Sequence, residues 1–291
     1  MDSLDLDFYA ITRAFLFFSL IGFIVFLEYF FSFHRLGKAG FRRRRISNWY
    51  LGIVNIIVAL PLSTLTTAAY CEYYQIGLFN LLKVPFGLVF ILWFIMYDLY
   101  VYLFHRLSHA TFLWHFHKIH HSDKSLNVTT SFRFHPVEYI LFNALKIVLI
   151  ILLGPYFFVI LFSDFIQAIL VFWGHSNIAL NAKLEQALSR IIITPRYHVM
   201  HHTQDECRRN YAGGLTLWDY LFHTQTEPLW NKDEINKLTL GVQTNTNWPE
   251  FKNLLLINKL IHFFDKPQFV YFKFPLITIG VAVIFGIVEF Y

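Results

Sequence analysis

The stretch VPFGLVFILWFIMYDLYVYLF (84–104) runs without a break into HRLSHATFLWHFHKIHHS (105–122). The first part is apolar over about 20 residues, the length that a helix needs to cross the hydrocarbon core of a bilayer. The second part holds six histidines between His105 and His121. The sequence therefore predicts a membrane-spanning helix that ends in a cluster of imidazoles.

The composition of the whole chain supports a membrane protein. Of its 291 residues, 56% are hydrophobic and 15% are charged, and the mean hydropathy is +0.47. Soluble domains usually carry about 25% charged residues. The acidic start runs into a long apolar segment with no small-residue cleavage site, which predicts a retained helix rather than a signal peptide.

Cysteine content and charge exclude some classes of protein. Cys71 and Cys207 lie far apart, so the chain has neither a disulfide framework nor a CxxC metal or redox motif. The formal net charge is a modest +5, and the basic residues collect beside apolar segments. Membrane-flanking charges have this distribution, so nucleic-acid binding is not expected.

The apolar runs predict an all-α integral membrane protein with about six transmembrane helices. The runs are 8–31, 49–70, 84–104, 138–154, 156–174 and 269–291. Pro61 should kink the second helix, and Gly154-Pro155 should form a hinge between the fourth and the fifth. Residues 175–268, between the fifth and sixth runs, are more polar and are expected to form a helical cap on the water side. The predicted domains are N-terminal helices (1–83), a histidine-bearing domain with its cap (84–268) and a C-terminal helix (269–291).

The distribution of lysine and arginine predicts the orientation. Loop 34–45 holds six of these residues, whereas loop 71–83 holds only Lys83. Because basic loops stay in the cytoplasm, the first loop is expected there, with the N-terminus and Cys71 outside. Counting the spans then places every histidine cluster, together with the cap, on the cytoplasmic face.

The histidine spacing indicates a site for two metal ions. Residues four or three apart share a helix face, and an adjacent residue is rotated by about 100°, so one HxxHH group can serve two neighbouring metals. Neutral imidazole suits Zn, Cu, Fe and Ni. The predicted ligands form one HxxxH pair and two HxxHH groups: His105, His109, His117, His120, His121, His198, His201 and His202.

Other polar residues lie near the same helix ends. His175 ends the fifth helix at the level of the cluster and is expected to be a ninth ligand. Asp98 and Tyr102 fall on the helix face of the first ligand pair and are candidates for hydrogen bonds that orient metal-bound rings. His135 precedes the fourth helix and is either structural or a further partner of the ligands.

Isolated polar residues have simpler interpretations. Asp164 lies too deep in its span to reach the metals and is expected to form an interhelical hydrogen bond, although carboxylates inside a membrane are functional candidates by default. His34, His223 and His262 stand alone and are interpreted as surface or core histidines.

Taken together, five motifs resemble those of the fatty acid hydroxylase/sterol desaturase superfamily. They are HRLSHATFLWHFHKIHHS, TTSFRFHPVEY, WGHSNI, TPRYHVMHH and NYAGGLTLWDYLF, in the family's order over roughly residues 95–225. The resemblance implies a membrane enzyme with a di-iron centre on the cytosolic face, which uses O2 and reducing equivalents to hydroxylate, desaturate or oxidatively cleave a lipid. It carries the ligand role to the eight histidines above and to His175. Iron is implied only by this resemblance, because an all-imidazole set would also hold Zn.

The chain departs from the family pattern in two places. Some members carry a second histidine shortly after the one that matches His175, whereas this chain reads HSNIALN. His223 stands where relatives often have glycine. The sequence has no recognisable haem domain of the cytochrome b5 type. The expected partners are therefore a separate electron donor (cytochrome b5-, ferredoxin- or reductase-like), O2 and a membrane lipid.

Two other classes of function remain as alternatives. A di-haem electron carrier would place histidine pairs in the middle of its spans, whereas these histidines lie at helix ends. A metal-binding or metal-transport protein would need a polar path through several helices, and the only charged residues in the interior of the mid-chain spans are Asp98, Lys146 and Asp164. Within the oxidation hypothesis, the sequence does not choose between hydroxylation and desaturation, or between an acyl chain, a sterol, an ether lipid and an isoprenoid.

Overall fold

The structure of the chain is a computed structural model that describes residues 3–32, 41–205 and 207–242. Within these ranges the chain is helical, with no β-strand and only isolated β-bridges. The helices are α1 (Ser3–Phe31), α2 (Phe41–Ala59), α3 (Thr64–Tyr73), α4 (Leu78–Leu81), α5 (Phe86–Ala110), α6 (Trp114–His121), α7 (Pro136–Leu153), α8 (Phe157–His175), α9 (Ala182–Leu188), α10 (Pro195–His201), α11 (Leu217–Leu221) and α12 (Lys232–Ile235), with a 3-10 helix at Val128–Phe132. The predicted all-α class is confirmed for this part of the chain.

Four stretches of the described residues are long and apolar enough to cross a membrane. They are Arg44–Leu81, Phe86–Ala110, Pro136–Leu153 and Phe157–His175, and they correspond to the second to fifth predicted spans. The first span corresponds to α1, whose apolar part is Phe15–Phe31. The sixth predicted span, 269–291, and the predicted domain boundary at residue 268 lie outside the described residues.

The breaks between these helices follow from proline and glycine. The kink predicted at Pro61 is a full interruption, because α2 ends at Ala59 and α3 begins at Thr64. The predicted hinge is confirmed at Gly154, which caps α7 with a φ of 63°. A Cβ atom at this position would lie 2.1 Å from the carbonyl oxygen of Ile76. Glycine is therefore required there both by the left-handed backbone and by the close approach of a neighbouring loop.

The apolar half of the molecule is packed around α3, α5, α7 and α8. Helix α3 lies against both α7 and α8, and α5 lies against α8. Lys146 on α7 forms a partly buried ion pair with Asp164 on α8, and its Nζ atom lies 3.3 Å from the hydroxyl of Tyr97 on α5. The interhelical role predicted for Asp164 is confirmed.

A buried carboxylate ties α1 to the polar half of the molecule. Glu28 Oε1 accepts hydrogen bonds from the backbone N–H groups of Val128 (2.7 Å) and Asn177 (2.9 Å). Its second oxygen pairs with Arg45 at 3.2 Å. One side chain therefore joins α1 to the 3-10 helix, to the loop after α8 and to α2, at the end of the helices where the histidines lie.

The predicted orientation can be tested by thiol labelling of intact cells. Cys71 itself is only 1% exposed, so a neighbouring residue is the better probe. Tyr73, which is 80% exposed, should react as Tyr73→Cys with a membrane-impermeant maleimide added outside, in a chain whose two native cysteines are serine. Exposed Lys183 on α9, changed to Lys183→Cys, should react only after permeabilisation. The reverse pattern would show that the orientation is wrong.

Candidate metal centre

Nine buried or half-buried histidines converge on two neighbouring positions at the ends of α5, α6, α8 and α10. In each group the potential ligand nitrogens lie within 4.8 Å of one another. The five-histidine group contains His105, His109, His117, His121 and His201, and the four-histidine group contains His120, His175, His198 and His202. These are the nine histidines predicted as ligands, and the structure brings all of them together.

Each group draws on both HxxHH motifs. In α6, His117 and His121 face the five-histidine group while His120 faces the other, because adjacent helical residues are rotated by about 100°. In α10 the division is reversed, since His201 joins the five-histidine group while His198 and His202 join the four-histidine group. Neither motif forms a complete group alone.

Three of the rings are oriented by backbone carbonyl oxygens behind them. The Nδ1 atom of His105 lies 2.7 Å from the carbonyl oxygen of Tyr211. The Nδ1 atom of His201 lies 2.6 Å from the carbonyl oxygen of Arg209. His175 makes the same contact with Val171 at 2.8 Å. A carbonyl oxygen only accepts, so each Nδ1 atom carries the proton and each Nε2 atom has a free lone pair.

Two of these lone pairs face each other directly. The Nε2 atoms of His105 and His201 are 2.9 Å apart, and neither can donate because each ring already has its proton on Nδ1. This arrangement is repulsive unless a cation lies between the two nitrogens. A proton is disfavoured, because burial lowers the pKa of His201 to about 3. The geometry therefore fits a shared metal ion.

The other Nε2 contacts have the same spacing. His117 and His121 approach at 3.2 Å, and in the four-histidine group the contacts of His175 with His120 and His198 are 3.1 and 3.0 Å. Two imidazoles at right angles on a metal, each bonded at about 2.0–2.1 Å, would have their nitrogens about 3 Å apart. Both groups therefore have the spacing of ligands that share an ion.

Burial keeps the ligand nitrogens free of protons. Desolvation, followed by repulsion from neighbouring imidazoles, lowers the pKa of four further rings well below the ordinary value: His120, His121, His198 and His202. Neutral imidazole is the form that binds transition metals. At neutral pH the site is therefore a preformed cluster of lone pairs.

Aromatic side chains pack against the rings and limit the access of water. Phe134 stacks on His120 with a centroid distance of 4.7 Å and an interplanar angle of 7°. Trp114 lies 5.0 Å from His109, and Tyr211 lies 5.2 Å from the same ring on centroid distances. The two groups are thus enclosed by apolar faces that hold the rings in place.

Glu138 is a functional candidate that the sequence analysis did not identify. It stands in the first turn of α7, is 2% exposed, and accepts a hydrogen bond of 2.6 Å from the Nδ1 atom of His117. A carboxylate behind a ligand fixes the tautomer of the ring and raises its basicity. The available signal was an acidic residue at the start of a strongly apolar helix, within the motif TTSFRFHPVEY.

Asp219 is the second such residue. Its Oδ1 atom accepts from the backbone N–H of Tyr211, and its Oδ2 atom accepts from that of Ala212, both at 2.9 Å. Oδ2 also accepts from the hydroxyl of Tyr197 on α10 at 3.0 Å, and burial raises the pKa of this carboxyl. Asp219 thereby positions the carbonyl group that holds His105 as well as the helix that carries three ligands.

Asp98 and Tyr102 make different hydrogen bonds from the predicted ones to metal-bound rings. Asp98 Oδ2 accepts from the backbone N–H of Leu215 (3.0 Å) and the indole N–H of Trp218 (2.8 Å). The Tyr102 hydroxyl bonds to Thr224 at 2.8 Å. Asp98 precedes the first ligand by seven residues, about 10 Å along the helix axis, which is too far for a hydrogen bond to the ring. Both residues instead hold the 211–224 segment.

The other histidines in the described part of the chain are outside the two groups. His135 caps α7, since its Nδ1 atom accepts from the backbone N–H of Val137 at 3.1 Å, which supports the structural alternative. His223 is exposed and has a φ of 54°. A left-handed backbone of this kind favours glycine over a residue with a side chain. His34 and His262 lie outside the described residues.

Comparisons with known proteins agree with the position of the site. Residues 90–224 match the family described as fatty acid hydroxylase. The ornithine lipid hydroxylase of Rhizobium tropici is 31% identical over 50% of this chain and 44% of its own length. The alkylglycerol monooxygenase of Danio rerio is 27% identical over 62% of this chain and 40% of its own length. The very-long-chain aldehyde decarbonylase of Oryza sativa subsp. japonica is 31% identical over 48% of this chain and 23% of its own length. The matches thus span less than half the length of these relatives. No solved structure gives a significant match.

Each group contains histidines from both HxxHH motifs, and this leads to a prediction about metal content. The purified chain should hold two metal ions, one for each group. His201→Ala should deplete the ion of the five-histidine group, and His198→Ala that of the four-histidine group, as measured by inductively coupled plasma mass spectrometry. Exposed His115, changed to His115→Ala, is the control and should leave the content unchanged. Full metal content in a His120→Ala/His201→Ala double variant would exclude the ligand assignment.

The lowered pKa values predict acid sensitivity of the metal-free protein. His201 is protonated near its ordinary pKa of about 6.5 when unfolded but only near pH 3 when folded. The unfolded state therefore binds the extra proton as the pH falls from 6.5 towards 3. The free energy of unfolding decreases over that window. Between pH 7.5 and 5 the loss is about 2 kcal/mol for one such histidine.

Thermal unfolding of the chelator-treated protein in detergent measures this loss. The midpoint should fall between pH 7.5 and pH 5, and it should fall less in His201→Ala, which has one fewer neutral buried imidazole. A midpoint that does not change with pH would contradict the neutral state of the cluster.

Proposed function

Because residues 90–224 belong to the fatty acid hydroxylase superfamily, we propose that this protein is an iron-dependent membrane oxygenase that oxidises a lipid. The observation that carries the proposal is the convergence of nine histidines on two adjacent positions. The relatives named above are a lipid hydroxylase, an alkylglycerol monooxygenase and a very-long-chain aldehyde decarbonylase.

Two iron ions are the proposed cofactor. The five-histidine and four-histidine groups would each hold one, and the all-imidazole donor set suits iron as well as zinc, copper and nickel. Membership of the superfamily favours iron. When bound, the irons supply the reduction of O2 and the cleavage of an unreactive C–H bond.

The protein's own residues prepare the site for that chemistry. Glu138 and the carbonyl groups behind His105, His175 and His201 hold the Nδ1 protons in place, so that the Nε2 atoms stay available as ligands. The aromatic faces of Trp114 and Phe134 exclude water from the rings. A dry, rigid set of ligands protects the reaction from side reactions with solvent.

The substrate and partners follow from where the histidines lie. They sit at the ends of α5 and α8, which are long and apolar enough to span a bilayer, so a lipid can reach them from the membrane with its head group near the interface. From the positive-inside bias we place this end in the cytoplasm. A separate electron donor of the cytochrome b5, ferredoxin or reductase type would meet the protein there, and O2 is the co-substrate.

Comparative lipid mass spectrometry tests the proposal. Cells with and without the gene are supplied with labelled O2, and the lipid extracts are compared. A new lipid that carries one labelled oxygen atom is the expected product, and a species lighter by two hydrogens would indicate desaturation instead. His201→Ala should abolish the product because it removes a ligand, whereas His115→Ala should retain it.

The metal-binding or metal-transport alternative predicts a different outcome. An unchanged lipidome in cells where the protein is metallated and reduced would contradict lipid oxidation. Metal-dependent transport by the protein in liposomes, without consumption of O2, would then favour the alternative.

A further inference from the structure

Three large aliphatic side chains are exposed in the part of the chain that was expected to be a water-side cap. Ile191 is 65% exposed, Leu217 52% and Leu221 58%. The two leucines are four residues apart and share one face of α11. Ile191 adjoins them, since its carbonyl oxygen accepts a hydrogen bond of 3.1 Å from the backbone N–H of Thr216. These three residues are called the α11 patch below.

Contacts with α5 place this segment well below the level of the histidines. The backbone N–H of Leu215 and the indole N–H of Trp218 both donate to Asp98, at 3.0 and 2.8 Å. Asp98 precedes His105 by seven residues, which is about 10 Å along the helix axis. The start of α11 therefore lies two helical turns below the histidine end of α5.

Contacts with α8 give the same depth independently. A Cβ atom on Gly214 would lie 2.2 Å from Asp98 Oδ1 and 3.1 Å from Gln167 Oε1, so Gly214 is wedged between α5 and α8. Gln167 precedes His175 by eight residues, about 12 Å along its helix. The contacts with both helices therefore show that the chain around Gly214 passes between α5 and α8, below the level of the histidines.

The length of α5 determines where the bilayer lies along this helix.

 A helix needs about 20 residues to cross the roughly 30 Å hydrocarbon core. Lys83, just before α5, marks one interface, so the other falls close to His105. Arg106 follows at that boundary, with its guanidinium 5.8 Å from the ring centroid of Phe222. Asp98 and the start of α11 therefore lie inside the hydrocarbon region.

The backbone of the descending segment has partners for its polar groups. The backbone N–H of Ile193 donates to the carbonyl oxygen of Gly214 at 2.8 Å, in addition to the bond between Thr216 and Ile191. The N–H groups of Tyr211 and Ala212 are held by Asp219. Non-helical backbone is tolerated at membrane depth only where protein satisfies it in this way.

We propose that residues 211–222 form a re-entrant segment that enters the bilayer beside α5, with the α11 patch in contact with lipid acyl chains. The inference rests on the membrane placement of α5 in the proposed function. It replaces the predicted water-side position for this part of the cap. On α5, Leu103 lies inside the same span and is 40% exposed, so it serves as a lipid-facing reference for the patch.

Fluorescence quenching in phosphatidylcholine vesicles tests the proposal with the full, metallated chain. A bimane label is attached to Leu221→Cys after both native cysteines are changed to serine. Leu103→Cys on α5 is the lipid reference, and Lys183→Cys on α9 is the water reference. Metal content of each variant confirms that the fold is intact. Quenching is measured with doxyl groups on lipid acyl chains and with iodide in the water.

The label at residue 221 should be quenched several-fold more strongly by the acyl-chain doxyl groups than by iodide, as at residue 103. Quenching mainly by iodide, with residue 103 still in lipid, would overturn the re-entrant segment and leave the membrane placement of α5 intact. Iodide quenching at both positions would overturn both. Quenching by neither agent would show that protein covers the patch, from residues 243–291 or a second copy, and would also overturn the lipid contact.

Discussion

Imidazole nitrogens whose lone pairs point at one another repel unless a cation lies between them, and the histidine end of this protein is built around that constraint. His105 and His201 face each other at 2.9 Å with their protons held on the opposite side of each ring. The surrounding packing and hydrogen bonds hold the two rings at the spacing of ligands that share an ion. The metal-binding capacity is therefore a property of the folded chain.

Several of the groups that support this end of the molecule are buried carboxylates, each of which joins separate helices or loops. Glu138 connects α7 to a ring on α6, Asp219 connects α10 to the segment behind α5, and Glu28 connects α1 to the loop after α8. Each accepts hydrogen bonds that offset the cost of burying its charge. Asp98 does the same for the segment before α11. A few buried acids thus help to hold the polar half of the molecule together.

The depth of the site follows from the same contacts. Asp98 and Gln167 each lie about two turns below the ligands on their helices, and Gly214 fits between them. The segment that positions His105 is therefore anchored within the span, not above it. In the proposed function this brings the enclosing wall of the metal site into contact with the lipid phase from which a substrate would enter.

The sequence by itself determined the helical class, the apolar spans that are described and the nine histidines that converge, because hydropathy and i, i+3/i+4 spacing are local properties of a chain. Only the tertiary structure decided how those histidines divide into groups of five and four, since His120 and His121 turn to opposite sides and meet partners from α5, α8 and α10. It also decided which acids support the site. Asp98 shares a helix face with His105 but accepts its hydrogen bonds from Leu215 and Trp218, whereas Glu138 on α7 accepts one from His117 on the separate helix α6. Contacts between residues far apart in sequence depend on how helices pack, which spacing along one helix does not encode.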